Sequence, residues 1–251
     1  VFDKLTERER LILEMLADDG STSIADIAAA VRVSQVTARN DLSGLEEKGF
    51  IVRTRGGAFP AFHRSIVARQ KSMTEAKIRI AKAAAAMVEP GDTIMIEAGT
   101  TTALIAKYLL GKRDVHVVSN STLILPYARF NPSLHVTIVG GSFQSSTESL
   151  VGPMALRELE EFHVSIAFVG TDGFSIENGL TTHLLEGAEI VKRMSAQAQK
   201  TVLVADSSKY GKTGFVRVLP LTSADTIISD SELDGEITAE LKAAAITVKL
   251  A

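Results

Sequence analysis

The chain has 251 residues, 45% of them hydrophobic and 23% charged, with 27 Lys and Arg against 30 Asp and Glu for a net charge of −3. That length suits two domains or one large α/β unit, with enough apolar material for a core. There is no cysteine, which excludes a disulfide framework, thiol chemistry and a zinc finger, and the five histidines (His63, His116, His135, His163, His183) lack metal-ligand spacing. No apolar run reaches membrane-spanning length and nothing at the start reads as a signal peptide, so a cytoplasmic protein with no metal, no cofactor and no membrane partner is expected.

In chain order, Thr6-x-x-Glu9 is a capping box ahead of Leu11, Ile12, Met15 and Leu16 at helical spacing, and Gly20 is placed to end that helix. Ser23 or Thr22 caps a second helix, with Ile24, Ile27, Ala28 and Val31 as its buried stripe. Ser34 caps a third, which runs to Lys48, and Gly49 is placed for the left-handed turn after it. Three short helices with a tight turn between the second and third make a helix-turn-helix.

On the third helix Ala38, Leu42 and Leu45 recur at i, i+4 and i+7 and should face the core. The opposite face carries Gln35, Val36, Arg39, Asn40 and Ser43, and Gln, Arg and Asn form bidentate pairs with base edges in the major groove. The following "FIVRTRGGA" reads as a β-hairpin wing whose Arg53 and Arg55 reach phosphate. The candidate DNA-binding residues are therefore Ser34, Gln35, Val36, Thr37, Arg39, Asn40, Ser43, Arg53 and Arg55. By composition alone, a small helical interaction domain with a solvated polar face explains this region about as well. Residues 53–82 carry Arg53, Arg55, Arg64, Arg69, Lys71, Lys77, Arg79 and Lys82 against Glu75 alone. Such a stripe attracts phosphate even on an acidic protein, because salt screens charges beyond about 10 Å.

Residues 59–74, which contain Pro60 and show no strong periodicity, read as a linker between a DNA-binding domain at 1–58 and a second domain at 75–251. In the second domain, strands are expected at Thr93–Glu97, Val115–Ser119, Val136–Val139, Ser165–Val169, Thr201–Ala205, Thr226–Ser229 and Thr247–Leu250. Helices are expected at 75–88, 101–110, 121–130, 153–160, 185–199 and 234–245. This alternation argues for a Rossmann-like α/β fold, a mainly parallel sheet covered by helices. Ligands of such sheets bind beyond the carboxyl ends of the strands. There the sequence places Glu97, Gly99, Thr100, Thr101 and Thr102, then Ser119 and Asn120, then Gly140 and Gly141, then Asp172, and finally Asp206, Ser207 and Lys209. The strand–loop–helix around "EAGTTT" is how a chain presents backbone N–H groups to phosphate, and Lys209 would supply a cation. Each piece has a plainer reading, an Asp as helix cap or a Gly pair as turn.

"VSQVTARNDLSGLEEKGFIVRTRGGA" resembles the N-terminal signature of the DeoR family of bacterial sugar-operon repressors, through Val33, Ser34, Thr37, Arg39, Asp41, Leu42, Leu45, Gly49, Arg53, Gly56, Gly57 and Ala58. Ala38 stands where the pattern has a larger aliphatic, and Asn40 where it has a second arginine. "KIRIAKAAAAMV", "GTTT", "SNS", "GG", "VGTDGF…GLTTH" and "VADSSKYGK" follow that family's sensor domain in order, and "GLTTH" resembles the branch acting on amino-sugar and hexitol operons. The resemblance implies a sensor similar to ribose-5-phosphate isomerase, a phosphorylated sugar or polyol as effector, double-stranded operator DNA as partner, and a homodimer or homotetramer. A repressor released by that effector is the leading expectation. An aldose–ketose phosphate isomerase using Asp172, Glu97 or Glu186 is the second, although no isomerase signature accompanies them and a shared fold does not carry function. A protein–protein adaptor is the third.

Overall fold

The computed structural model describes residues 5–18, 22–48, 50–54 and 57–251. Gly20, Gly49, Arg55 and Gly56, which the sequence assigns to turns and the wing, lie outside the described residues. The chain divides into two compact units, Val1–Thr74 with Ser145–Thr147 and Glu75–Gln144 with Glu148–Ala251.

The first unit holds α1 (Glu7–Asp18), α2 (Ile24–Ala30) and α3 (Gln35–Glu47), then β1 (Ile51–Thr54), β2 (Gly57–Pro60) and α4 (Arg64–Lys71). Its helices start where side chains satisfy orphan N–H groups. The Thr6 N–H donates to Glu9 Oε2 at 2.8 Å and the Glu9 N–H to Thr6 Oγ1 at 3.2 Å, a reciprocal capping box. Ser23 and Asp26 form a second such box, and Ser34 Oγ accepts from the Thr37 N–H at 3.1 Å. Ile12, Leu13, Leu16, Ile27, Ala38, Leu42, Leu45, Phe50 and Ile51 are buried together as one core.

Two ion pairs tie α1 to α3. Arg8 grips Asp41 through two nitrogens at 2.7 and 2.8 Å, and Lys48 meets the buried Glu9 at 2.7 Å. Burial alone would push Glu9 up, but hydrogen bonds from Lys48 and Thr6 outweigh it and hold the carboxyl below its ordinary value. β1 and β2 pair antiparallel from Ile51↔Pro60 to Thr54↔Gly57, which forms the expected hairpin. The stretch expected as a linker contains the end of β2, Phe59 and Pro60, and the whole of α4. That helix is started by His63 Nδ1, which accepts from the Ser65 N–H at 3.2 Å, and it buries Ile66 and Val67. Two turns are too few for an apolar period to stand out in sequence.

The second unit begins with α5 (Thr74–Ala85) and continues through β3 (Thr93–Ile96), α6 (Thr102–Tyr108), β4 (Val115–Ser119), α7 (Leu125–Arg129) and β5 (Leu134–Ile138). A short hairpin, β6 (Ser142–Gln144) and β7 (Ser149–Val151), leads into α8 (Pro153–Glu160) and β8 (Val164–Val169). Then come β9 (Gly173–Ser175), β10 (Gly179–Thr182), α9 (Leu185–Ala196), β11 (Ala198–Val204), β12 (Val216–Leu219), β13 (Thr226–Ser229), α10 (Gly235–Ala243) and β14 (Thr247–Leu250). Seven strands form one sheet in the order β14-β13-β11-β8-β3-β4-β5, and every neighbouring pair is parallel. The Rossmann-like expectation holds in this respect. Central strands carry continuous apolar runs such as Ile94-Met95-Ile96 and Val202-Leu203-Val204, all buried, as a sheet covered on both faces requires.

Three details differ from expectation. The helix expected at 121–130 is split into a 3-10 turn at Thr122–Ile124 and α7, because Ser121 Oγ caps the turn and Pro126 restarts the helix without an N–H. The helix expected to reach 199 stops at Ala196, because Ala198 and Lys200 pair with Val164 and Ile166 and are drawn into β11. A three-stranded antiparallel sheet, β12-β10-β9, and the β6–β7 hairpin were not anticipated, since runs of three or four residues carry almost no period-two signal.

Candidate functional site

On α3 the residues divide as the helical period demands. Ala38, Leu42 and Leu45 are buried, whereas Gln35, Val36, Arg39 and Asn40 are exposed. Ser34 and Thr37 are occupied by the cap, their hydroxyls 2.9 Å apart, so they fix the first turn. Ser43 lies one turn beyond Arg39 and Asn40, and its hydroxyl accepts from Arg53 Nη1 at 3.2 Å. The wing arginine is thereby held against the exposed edge of α3, a link between residues ten apart that no sequence period indicates. The result is an exposed face bearing an amide, two guanidinium groups and a second amide.

In the second unit the strand order locates the switch point. From β3 the chain steps to β4 and β5 on one side, then β8, β11, β13 and β14 extend the other side, so the strand order reverses between β3 and β8 while the strands stay parallel. Open α/β sheets bind ligands outside such a switch point. Glu97, Gly99 and Thr100–Thr102 follow β3 there, and Gly170, Thr171 and Asp172 follow β8. The two sides meet where the Gly170 N–H donates to Glu97 Oε2 at 3.1 Å. Gly99 is required by space, as a Cβ there would stand 2.8 Å from Thr102 Oγ1. Thr102 is fully buried and its hydroxyl donates to the Gly99 carbonyl at 3.0 Å, while Thr100 is half-buried.

The other strand-end residues hold backbone. Ser119 is buried and donates to the Ile96 carbonyl at 2.5 Å. Asn120, 2% exposed, accepts from the Ala98 N–H at 2.9 Å and donates to the Leu150 carbonyl at 3.2 Å. Gly140 donates its N–H to Glu158 Oε2 at 2.6 Å, and Gly141, at φ +145°, lies so close to β7 that a Cβ would be 2.6 Å from the Val151 carbonyl oxygen. Asp172 Oδ2 accepts from the Thr182 hydroxyl at 2.9 Å and the His183 N–H at 3.0 Å, tying "GTDGF" to "GLTTH". The His183 side chain is exposed.

Lys209 occupies a short 3-10 turn, Ser207–Lys209, after β11. Both ends of its loop are anchored. At the start, the Ser207 N–H and hydroxyl donate to Asp230 at 2.7 and 2.9 Å. At the end, Tyr210 packs edge-on against Phe174, ring centroids 5.4 Å apart. Burial, reinforced by the neighbouring Glu240 carboxylate, pushes the Tyr210 phenol up. Asp206, 2% exposed, accepts from the Ser208 hydroxyl at 2.5 Å, and Lys209 is half-buried with no acid paired to it among the described residues.

Asp230, Gly170 and Glu158 were missed in the sequence. Asp230 follows β13 as Asp206 follows β11, so the strand-end rule could have found it. Burial alone would push Asp230 up, but the N–H and hydroxyl of Ser207 and the N–H of Glu232 outweigh it and hold the carboxyl below its ordinary value. A carboxyl depressed in the folded state contributes stability above its unfolded pKa of about 3.9, and that stability is lost as pH falls through the lower folded value. Asp230→Asn is therefore expected to destabilise the protein by about 1–2 kcal/mol at pH 7. The gap from the parent should shrink below about pH 4. Urea unfolding at several pH values checks this, and a gap that persists unchanged at pH 3 would show that the charge is not the cause.

A helix-turn-helix unit with a wing, joined in one chain to an α/β unit built on a seven-stranded parallel sheet with polar residues at its switch point, defines a DNA-binding transcriptional regulator with a sensor module. Comparison with known proteins gives the family. The DeoR C terminal sensor domain matches residues 72–231 and the DeoR-like helix-turn-helix domain matches residues 8–60. The chain belongs to the DeoR family of transcriptional regulators. It is 30% identical over 251 residues to a putative aga operon transcriptional repressor of Escherichia coli O157:H7, covering 98% of this chain and 93% of that one. It is 33% identical to the HTH-type transcriptional regulator GlpR of Haloferax volcanii, covering 96% of each. It is also 33% identical to the HTH-type transcriptional repressor GlcR of Bacillus subtilis, covering 89% and 88%. Among solved structures, ribose 5-phosphate isomerase A of Methanocaldococcus jannaschii aligns with 55% of each chain at 23% identity and a TM-score of 0.41. No helix among the described residues is long and apolar enough to cross a membrane.

Proposed function

We propose that the protein represses a carbohydrate-utilisation operon and is released from its operator by a phosphorylated sugar or polyol bound at the switch point. The observation that carries this reading is the half-buried Lys209, unpaired with any described acid, on a loop anchored at both ends two strands from the Thr100–Thr102 loop. An ammonium held in place without a counter-ion is suited to a charge-assisted contact with phosphate. Glu97, Thr100 and Asp172 line the same edge and serve the sugar hydroxyls. Ser119, Asn120, Gly140 and Gly141 take a supporting role, because their polar groups already hold neighbouring backbone.

On the DNA side, Arg39 and Asn40 read base edges, Gln35 assists from the first turn, and Arg53, steadied by Ser43, meets phosphate. The relatives named as transcriptional repressors support the reading that the protein binds DNA. An isomerase reading is weaker. The Glu97 and Asp172 carboxylates are engaged by backbone N–H groups, and proton abstraction needs a base poised over the substrate carbon.

One small reading helix makes a modest contact, so two or more chains bind paired half-sites. A thermal-shift screen of phosphorylated against unphosphorylated sugars tests the effector, because a ligand stabilises by RT ln(1 + [L]/Kd). A phosphorylated compound should raise the midpoint and release DNA at the same concentration. Stabilisation only by unphosphorylated sugars, or turnover of the stabilising compound to its ketose, would sink the reading.

A further inference from the structure

Val36 is the second residue of α3 and is 64% exposed, although it is a large apolar side chain. Three such exposed residues occur among those described in the first unit, Leu11, Val36 and Val52, and Val36 is the most exposed of them and the one on α3. It shares a face with Arg39 and Asn40, three and four residues on, and both are exposed. Its turn is fixed by the Ser34 cap, through the bonds at 3.1 and 2.9 Å to Thr37. A β-branched side chain in a helix has one strongly preferred rotamer, so the two methyls of Val36 are held in place before any partner arrives.

In the major groove the bases present hydrogen-bond donors and acceptors, and the C5-methyl of thymine is the one alkyl group among them. We infer that Val36 packs on a thymine methyl and so specifies a T in each half-site. The inference rests on the reading that α3 docks in the major groove, and it adds a base identity to that reading. The axial rise from Val36 to Asn40 is about 6 Å. A base pair rises about 3.4 Å. The thymine should therefore lie within about two base pairs of the base that Asn40 reads.

The probe is a pool of duplexes with a random core, from which the full-length protein selects its preferred sequence. Each thymine of the enriched duplex is then replaced singly by deoxyuridine, which removes the methyl and keeps the pairing. One thymine per half-site should be sensitive, its replacement weakening binding about fourfold, the value of one buried methyl. Val36→Ala should weaken binding to the thymine duplex to a similar degree and be indifferent to the uridine exchange at that position. A fourfold uridine penalty that survives in Val36→Ala would overturn the inference, as would an enriched duplex with no sensitive thymine. A pool that yields no enriched sequence would instead overturn the docking of α3 itself, a separate failure.

Discussion

Lys209→Ala is expected to fold, to bind operator DNA as the parent does, and to respond poorly to its effector. The Lys209 turn is built by contacts that do not involve its ammonium: Ser207 to Asp230, Ser208 to Asp206, and Tyr210 against Phe174. Removing a half-buried ammonium with no described acid partner leaves no buried countercharge behind, so the structural cost should be small. The ligand, by contrast, loses one charge-assisted contact, about 1.5–3 kcal/mol, or roughly ten- to a hundredfold in affinity. An effector shifts the equilibrium between bound and released states only through its differential affinity. In cells the variant should therefore act as a repressor that does not let go. Titrating effector into a preformed DNA complex measures the effect directly. A variant that unfolds readily yet releases DNA at the parent's effector concentration would mark Lys209 as structural and remove it from the site.

Arg39→Ala and Arg53→Ala should separate base reading from phosphate contact. Arg39 is exposed on α3 at a distance from the core formed by Ala38, Leu42 and Leu45, so its loss should leave the fold intact. Discrimination between operator and random DNA is expected to fall by about 1–3 kcal/mol, up to about a hundredfold. Arg53 is different, because its hydrogen bond to Ser43 places it at the margin of α3. Arg53→Ala should weaken operator and random DNA alike and flatten the dependence on salt by about one counterion. Filter binding at several salt concentrations distinguishes the two. If Arg39→Ala preserves the specificity ratio, α3 does not face the bases in the proposed way.

The sequence by itself determined the elements whose cause is local. Thr6 with Glu9, Ser23 with Asp26, and Ser34 with Thr37 each close within three residues, so the helix starts are legible in the sequence at Thr6 and Ser34 and, for the second helix, to within Thr22 or Ser23. The apolar runs at Thr93–Ile96, Val115–Ser119 and Thr226–Ser229 mark strands, and the DeoR-type motifs mark the family to which the two matching domains belong. Only the tertiary structure decided the rest. Strand order has no local signal, so nothing along the chain marks the switch point between β3 and β8, where Glu97 meets Gly170 across 73 residues. Asp230 gained its role from Ser207, 23 residues earlier, and Ser119 and Asn120 proved to be buried clamps, Asn120 reaching Leu150, rather than open polar groups. The reason is physical. A cap or an apolar period is fixed by neighbours along the chain, whereas the partner of a strand-end side chain depends on which strands lie side by side, and lateral order is set by the packing of the whole sheet.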